Sequence, residues 1–167
     1  MAAQVTATAE HAGEPRRQLL LPDAEATEAL GAALWRLAPE RLLVFLHGEL
    51  GAGKTTFARG LLRAGGYLGA VRSPTYALVE EYELGERRVF HFDLYRLSDP
   101  EELLWLGIED YLRQPALCMI EWPEMGAGLL PAPNLTLRLS HHAGQRLLQW
   151  RAENPELEKT LHRHWKI

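Results

Sequence analysis

Apolar runs of strand length alternate with helical stretches along this 167-residue chain, a pattern typical of an α/β protein. A glycine-rich segment at 48–53 joins one apolar run to a helical stretch, and another apolar run at 116–120 follows a second helical stretch. Two further pairs of strands are separated by short turns and indicate antiparallel hairpins. The sequence therefore predicts a three-layer sandwich with helices on both faces of a mixed, mostly parallel sheet.

The composition limits the class of protein. The chain is 47% hydrophobic and 24% charged, which fits one globular domain with enough apolar material for a core. Its formal net charge is −4, whereas a protein that binds nucleic acid by itself is expected to carry a basic surface. No apolar run approaches the roughly 18 residues of a membrane-spanning helix, and the N-terminus has no signal-peptide core. With a single cysteine as well, we expect a cytoplasmic protein that contacts no membrane.

The first half of the chain predicts two strand–helix pairs. Residues 18–21 fit a short edge strand, and the helix that follows has Asp23 as its N-cap and ends before Pro39. A buried strand at 42–46 leads into the glycine-rich loop. The helix after this loop is predicted to end at the paired glycines 65–66.

The second half predicts two hairpins with a helical crossover between them. The first hairpin combines strands at 76–83 and 87–93, and one helix at 98–112 then leads to a buried strand at 116–120. A crossover of this kind makes the strands at 87–93 and 116–120 parallel neighbours. The remaining strands and the final helix are predicted at 135–139, 145–150 and 156–164.

A phosphate-binding loop is predicted from Gly48 to Thr55, because GELGAGKT fits G-x-x-x-x-G-K-[ST] between a strand and a helix. Glycines allow successive backbone N–H groups to surround a polyphosphate, and the helix N-terminus adds partial positive charge. Lys54 is expected to contact the β- and γ-phosphates and Thr55 to bind Mg²⁺. The expected nucleotide-binding residues here are Leu50, Gly51, Ala52, Gly53, Lys54, Thr55 and Thr56. A glycine-rich turn that binds nothing is the alternative.

Two carboxylates are candidates to complete such a site. Asp93 and Glu121 each follow a buried apolar run, and ligands in this class of fold collect at the carboxyl ends of parallel strands. Either acid could orient Mg²⁺, and the alternative for each is a solvated residue where a strand meets a loop. His91 precedes Asp93 and fits either a core histidine or a partner of that acid, of which we favour the core histidine.

Three further residues fit either function or ordinary structure. Ser73 and Thr75 lie in a loop that could fold over a γ-phosphate, but a hydroxyl-rich turn explains them equally simply. Trp122, beside Glu121, could contact a base or a partner, or could be partly buried packing. The seven histidines show no spacing that favours a metal site.

The segments GELGAGKTTFARG, SPTYALVEEYE, HFDLYRL and EWPE, in this order, resemble the bacterial TsaE (YjeE) family. The resemblance covers the chain from about Leu21 to Trp150 and implies a P-loop NTPase-type sandwich that uses ATP and Mg²⁺. It departs from the family pattern only at Glu49 and Tyr76, neither of which is a proposed ligand. The implied domains are a flexible tail at 1–16, a P-loop ATPase domain at 17–152 and a short helix or tail at 153–167.

The resemblance also implies roles for individual residues. It places Lys54, Asp93 and Glu121 in catalysis, and Thr55, Asp93 and Glu121 around the metal. It places Thr27 and Arg146 beside the nucleotide. It implies a switch or partner role for Ser73 and Thr75, in the switch-like loop, and for Trp122.

The function implied by the resemblance is that of an accessory ATPase. It would bind and drive the TsaD–TsaB complex, which forms threonylcarbamoyladenosine next to the anticodon of tRNAs that read codons beginning with A. Contact with tRNA would then be indirect, which agrees with the negative net charge.

Two other functions use the same loop. A small P-loop kinase would phosphorylate a small molecule or nucleotide, although no arginine-rich lid is visible in the sequence. A GTP-driven switch would need an N-K-x-D element for guanine, which the chain lacks.

Overall fold

The computed structural model describes residues 17–166, so the predicted tail at 1–16 lies outside the described residues. The strands are β1 (Arg17–Leu21), β2 (Leu42–His47), β3 (Val79–Leu84), β4 (Arg87–Asp93), β5 (Leu117–Glu121), β6 (Leu135–His142) and β7 (Gln145–Ala152). The helices are α1 (Ala24–Leu37), α2 (Lys54–Ala64), α3 (Glu102–Leu106), α4 (Ile108–Arg113) and α5 (Pro155–His164). A 3-10 helix at Pro123–Gly126 follows β5 directly.

The seven strands form one mixed sheet in the order β1-β7-β6-β2-β5-β4-β3. Its centre is parallel, because β2 pairs with β6 and β5, and β5 pairs with β4, all in the parallel sense. The pairings toward both edges are antiparallel, β3 with β4 on one side and β6 with β7 and β1 on the other. The predicted crossover between β4 and β5 is confirmed, and β1 is an edge strand as predicted.

Side chains alternate between two cores along the central strands. On β5, Leu117 and Met119 belong to the core that packs against α1, α2 and α5, whereas Cys118 and Ile120 belong to the core beneath α3 and α4. Period-two alternation in a strand that is buried on both faces produces this pattern. The helices therefore lie on both faces, and the predicted α/β three-layer class is confirmed.

The helix predicted at 98–112 is instead two short helices, α3 and α4. Gly107 lies between them and ends α3. Its φ is +79°, a left-handed backbone conformation that favours glycine. The strand predicted to begin at residue 76 begins at Val79. Leu78 has φ +65°, and its N–H donates to the Pro74 carbonyl in a turn that delays the strand.

Helices α1 and α2 pack closely through two glycines. A Cβ atom at Gly31 would lie 2.1 Å from the Phe57 carbonyl oxygen, and one at Gly60 would lie 2.0 Å from the Glu28 carbonyl oxygen. Each glycine therefore meets the backbone of the opposite helix, and this contact positions α1 against the helix that begins at Lys54.

Within residues 17–166, no helix combines the length and the hydropathy needed to cross a membrane.

Candidate functional site

The glycine-rich loop joins β2 to α2 at the carboxyl edge of the sheet. Gly51 and Gly53 have φ +77° and +109°, in the region where L side chains are strained, so the loop can turn back before the helix starts at Lys54. Ala52 lies inside this curve, fully buried, and its N–H donates to the Glu49 carbonyl. The predicted strand–loop–helix arrangement is therefore present.

Lys54 is the first residue of α2 and is only 5% exposed. Its Nζ donates to the carbonyl of Gly48 and lies 4.1 Å from the centroid of the Trp122 ring. Burial lowers the pKa of Lys54, while the nearby carboxylates of Glu121 and Asp93 act in the opposite direction. The loop thus holds a desolvated cation beside two acids.

Asp93 and Glu121 lie side by side because β4 and β5 are parallel and these two residues are register partners. They are 4% and 2% exposed. The Ser73 hydroxyl lies between them, hydrogen-bonded to Asp93 Oδ2 and to Glu121 Oε2, the latter at 2.9 Å. Thr75 Oγ1 donates to Asp93 Oδ2 at 3.1 Å, and the Tyr95 N–H donates to Oδ1 at 2.9 Å. The predicted acids and both hydroxyls of the 73–75 loop therefore form one cluster.

His91 is fully buried and lies against the second acid. Its Nε2 is 2.6 Å from Glu121 Oε2, so it is a partner of Glu121, whereas the sequence favoured a plain core histidine. The contact was missed because Glu121 is 30 positions away and meets His91 only across the β4–β5 pairing.

A cavity of about 380 Å³ contains the loop, the acids and the start of α1. Its lining includes every residue that the sequence predicted for the site except Ala52, whose side chain faces the core. The predicted residues that line it are Leu50, Gly51, Gly53, Lys54, Thr55, Thr56, Thr27, Ser73, Thr75, Asp93, Glu121, Trp122 and Arg146. The fold thus gathers residues from six separate segments of the chain in one place.

Two predicted residues that are far from the loop in sequence lie close to it in the structure. Thr27, 1% exposed on α1, has its Cγ2 3.8 Å from the position of a Cβ on Gly53. Arg146, at the start of β7, donates from Nη2 to the Gly51 carbonyl at 3.2 Å. The sheet order explains the second contact, since β7 lies next to β6 and β6 next to β2.

Trp122 has φ +56°, an unusual conformation for a bulky residue, at the bend after β5. Its half-buried ring lies between Lys54 and Tyr95, whose ring centroid is 4.9 Å away. Trp122 therefore does more than pack against the core, because it contacts the loop cation directly.

An ion pair beside the loop was not predicted. His47 Nδ1 lies 3.3 Å from Glu124 Oε2. Burial alone would raise the pKa of Glu124, but the hydrogen bond from His47 and the nearby charges outweigh it and lower the pKa. The segment EWPE already contained Glu124, but nothing in the sequence indicated its partner.

The oxygen donors around the acids suit Mg²⁺, which prefers hard ligands. Thr55, Asp93 and Glu121 all line the cavity, and the two carboxylates are adjacent and buried. Among residues 17–166, no group of three or more His, Cys, Asp or Glu side chains could hold a metal by itself. A bound Mg²⁺ would therefore also need the Thr55 hydroxyl and oxygens from phosphate or water.

Comparison of the sequence with known proteins gives one consistent family. Residues 21–148 match the model of the family described as threonylcarbamoyl adenosine biosynthesis protein TsaE. A relative from Haemophilus influenzae named tRNA threonylcarbamoyladenosine biosynthesis protein TsaE is 47% identical over 108 residues, covering 65% of this chain and 68% of the relative. A Bacillus subtilis protein of the same name is 34% identical over 113 residues, 68% of this chain and 70% of the relative.

Comparison of the fold agrees. The crystal structure of Bacillus subtilis YdiB superposes with a TM-score of 0.75 at 26% identity, covering 92% of this chain and 99% of that chain.

Proposed function

The chain belongs to the TsaE family of tRNA threonylcarbamoyladenosine biosynthesis, and we propose that it acts there as a Mg²⁺-dependent ATPase that binds and drives a TsaD–TsaB complex. The proposal rests mainly on one observation. Lys54 and the acids Asp93 and Glu121 line one cavity, and the N-terminal residues of α2 line it as well. Cation, acids and helix terminus are the groups that a nucleoside triphosphate with Mg²⁺ requires.

The reaction would be ATP plus water giving ADP and phosphate. The loop N–H groups and Lys54 would bind the phosphate oxygens and offset the charge that develops on them. Bound Mg²⁺ would supply further positive charge. Asp93 and Glu121 would hold the metal, and one of them would orient the attacking water. Arg146 and Thr27 would position the rest of the nucleotide from β7 and α1.

Slow hydrolysis by the isolated protein is part of the proposal. Among the described residues lining the cavity, Arg146 is the one arginine, and its guanidinium already donates to the Gly51 carbonyl. Without a free arginine at the γ-phosphate, charge stabilisation is incomplete, so a partner is expected to increase the rate. A TsaD–TsaB complex that stimulates hydrolysis would explain how ATP use is tied to tRNA modification.

The decisive experiment measures phosphate release from ATP by the purified protein, alone and with TsaD–TsaB, alongside rescue of tRNA modification in cells. We expect Lys54→Ala to reduce hydrolysis by about 100-fold or more, since a cation directed at the developing charge is removed. Lys159→Ala is the matched control, because Lys159 lies on α5, far from the cavity in sequence and 69% exposed. Normal rescue by Lys54→Ala would contradict the proposal.

Two further outcomes separate its parts. Equal hydrolysis rates with and without TsaD–TsaB would contradict stimulation by the partner, while the proposed ATPase activity would stand. Transfer of labelled phosphate to a small molecule or nucleotide, rather than to water, would favour the kinase alternative.

A further inference from the structure

His91 is a buried polar group that does not line the cavity. It is 0% exposed in the middle of β4, and the cavity lining includes Asp93 and Glu121 but not His91. Alternation along β4 places Phe90 and Phe92 in the core beneath α3 and α4, so His91 faces the side of α2 and the loop. A buried polar side chain on that side needs a hydrogen-bond partner.

The partner is Glu121, reached diagonally across the strand pair. His91 is the register partner of Met119, and Glu121 is two residues further along β5. Diagonal neighbours of this kind are within reach of long side chains. The resulting contact, 2.6 Å from Nε2 to Oε2, fixes one oxygen of the carboxylate.

The other ring nitrogen identifies the tautomer. Within residues 17–166, Nδ1 has no hydrogen-bond partner. A buried N–H without an acceptor is rarer than a nitrogen lone pair without a donor. We therefore assign the proton to Nε2, which donates to Glu121.

The other donor to this carboxylate is shared. The Ser73 hydroxyl contacts both Glu121 Oε2 and Asp93 Oδ2, but it has one proton and donates to one of them at a time. It also lies in the loop between α2 and β3, whereas His91 lies in β4, a strand that is paired on both sides. Among the described contacts, Ser73 is thus shared by the two acids, whereas His91 donates to Glu121 alone.

We propose that His91 is a positioning residue, which holds Glu121 Oε2 so that the other carboxylate oxygen is directed at Mg²⁺. The inference rests on the proposed function and adds a residue that acts on the metal only through Glu121. Partners of this kind usually change metal affinity by about 10–100-fold when they are lost.

The test compares two amides at this position. His91→Gln keeps an N–H donor near the position of Nε2, whereas His91→Asn places its amide near Nδ1 and cannot reach Glu121. We expect Asn to weaken Mn²⁺ binding to the ADP-bound protein by at least tenfold in electron paramagnetic resonance titrations, and Gln to stay within about threefold of wild type. The Mg²⁺ concentration for half-maximal ATP hydrolysis should rise in parallel, with nucleotide affinity in the absence of metal unchanged.

Cys118→Ser is the matched control for burying an extra polar group. Cys118 is 4% exposed on β5 but faces the opposite core, so the variant should lose stability and keep its Mn²⁺ affinity. Unchanged Mn²⁺ affinity in His91→Asn would overturn the inference, and so would equal losses in the Gln and Asn variants. Should His91→Asn not fold, ¹⁵N-histidine spectra of the wild-type protein decide instead, because an Nε2 without a proton would overturn the proposed contact.

The outcomes also separate this inference from the proposed function. If the wild-type protein hydrolyses ATP and His91→Asn keeps its Mn²⁺ affinity, only the role of His91 is refuted. If the wild-type protein binds Mn²⁺ with ADP but hydrolyses no ATP, and His91→Asn binds Mn²⁺ more weakly, the positioning role is supported and the ATPase activity is contradicted.

Discussion

Replacing Gly31 by alanine tests how closely α1 and α2 must approach to form the site. The added Cβ would lie 2.1 Å from the Phe57 carbonyl oxygen and 2.8 Å from the Leu61 nitrogen, both backbone atoms of α2. Backbone cannot turn aside as a flexible side chain can, so the two helices must separate by about 1 Å to restore van der Waals contact. Thr27 and Lys54 lie on these helices, so nucleotide affinity is expected to fall as well.

The expected cost is the difference between two opposing terms. Overpacking in a well-packed core costs typically about 1–3 kcal/mol, and contact with backbone places this site at the upper end. Alanine recovers about 1 kcal/mol of helix propensity relative to glycine. The net loss in the free energy of unfolding should therefore be about 2 kcal/mol, or a decrease of about 4–8 °C in Tm for a domain of this size.

Urea denaturation followed by circular dichroism measures this loss. Ala29→Gly, at an exposed position of the same helix, measures the propensity term separately and should cost about 1 kcal/mol. A Gly31→Ala variant as stable as wild type, or more stable, would refute the argument that the α1–α2 distance excludes a Cβ.

Two further predictions concern single side chains. Burial raises the pKa of Cys118 to about 12, so alkylation by iodoacetamide at pH 9 should be slow and should track unfolding. Because the unfolded thiol ionises near pH 8.5, the unfolded state loses its proton first and the free energy of unfolding should fall between about pH 9 and 12. Cys118→Ala should flatten that decline in pH-dependent urea titrations, and rapid alkylation of folded protein would contradict the burial argument. Arg146→Ala should weaken ATP binding about tenfold in calorimetry, since a charged donor at the loop is lost, whereas exposed Arg88→Ala should bind ATP as wild type does.

Most elements of the fold follow from local sequence signals. Asp23 caps α1 through a 2.8 Å hydrogen bond to the Ala26 N–H, and α2 ends at Gly65, both as the sequence predicts. The exceptions occur where backbone conformation matters more than periodicity. The apolar pattern continues through Gly107, but its left-handed φ divides the helix, and the turn at Leu78 shortens β3.

The members of the candidate site could be proposed from the sequence, whereas the contacts between them could not. The loop motif identified Lys54 and Thr55, and strand endings identified Asp93 and Glu121. No local pattern could show that Ser73 lies between the two acids, or that His91 holds one of them, because these contacts join segments up to 48 positions apart. Such pairs exist only after the strands are in register.

The sequence by itself determined the family and predicted the class of ligand, because a glycine-rich loop motif and short motifs act through residue type and close spacing. The tertiary structure decided the geometry on which the proposed chemistry depends. Parallel pairing of β4 with β5 puts Asp93 opposite Glu121. The close contact of two helices at Gly31 and Gly60 holds α1 against α2, and the start of α1 lines the same cavity as the loop. These distances are set by sheet order and packing, which are properties of the whole chain and of no single segment.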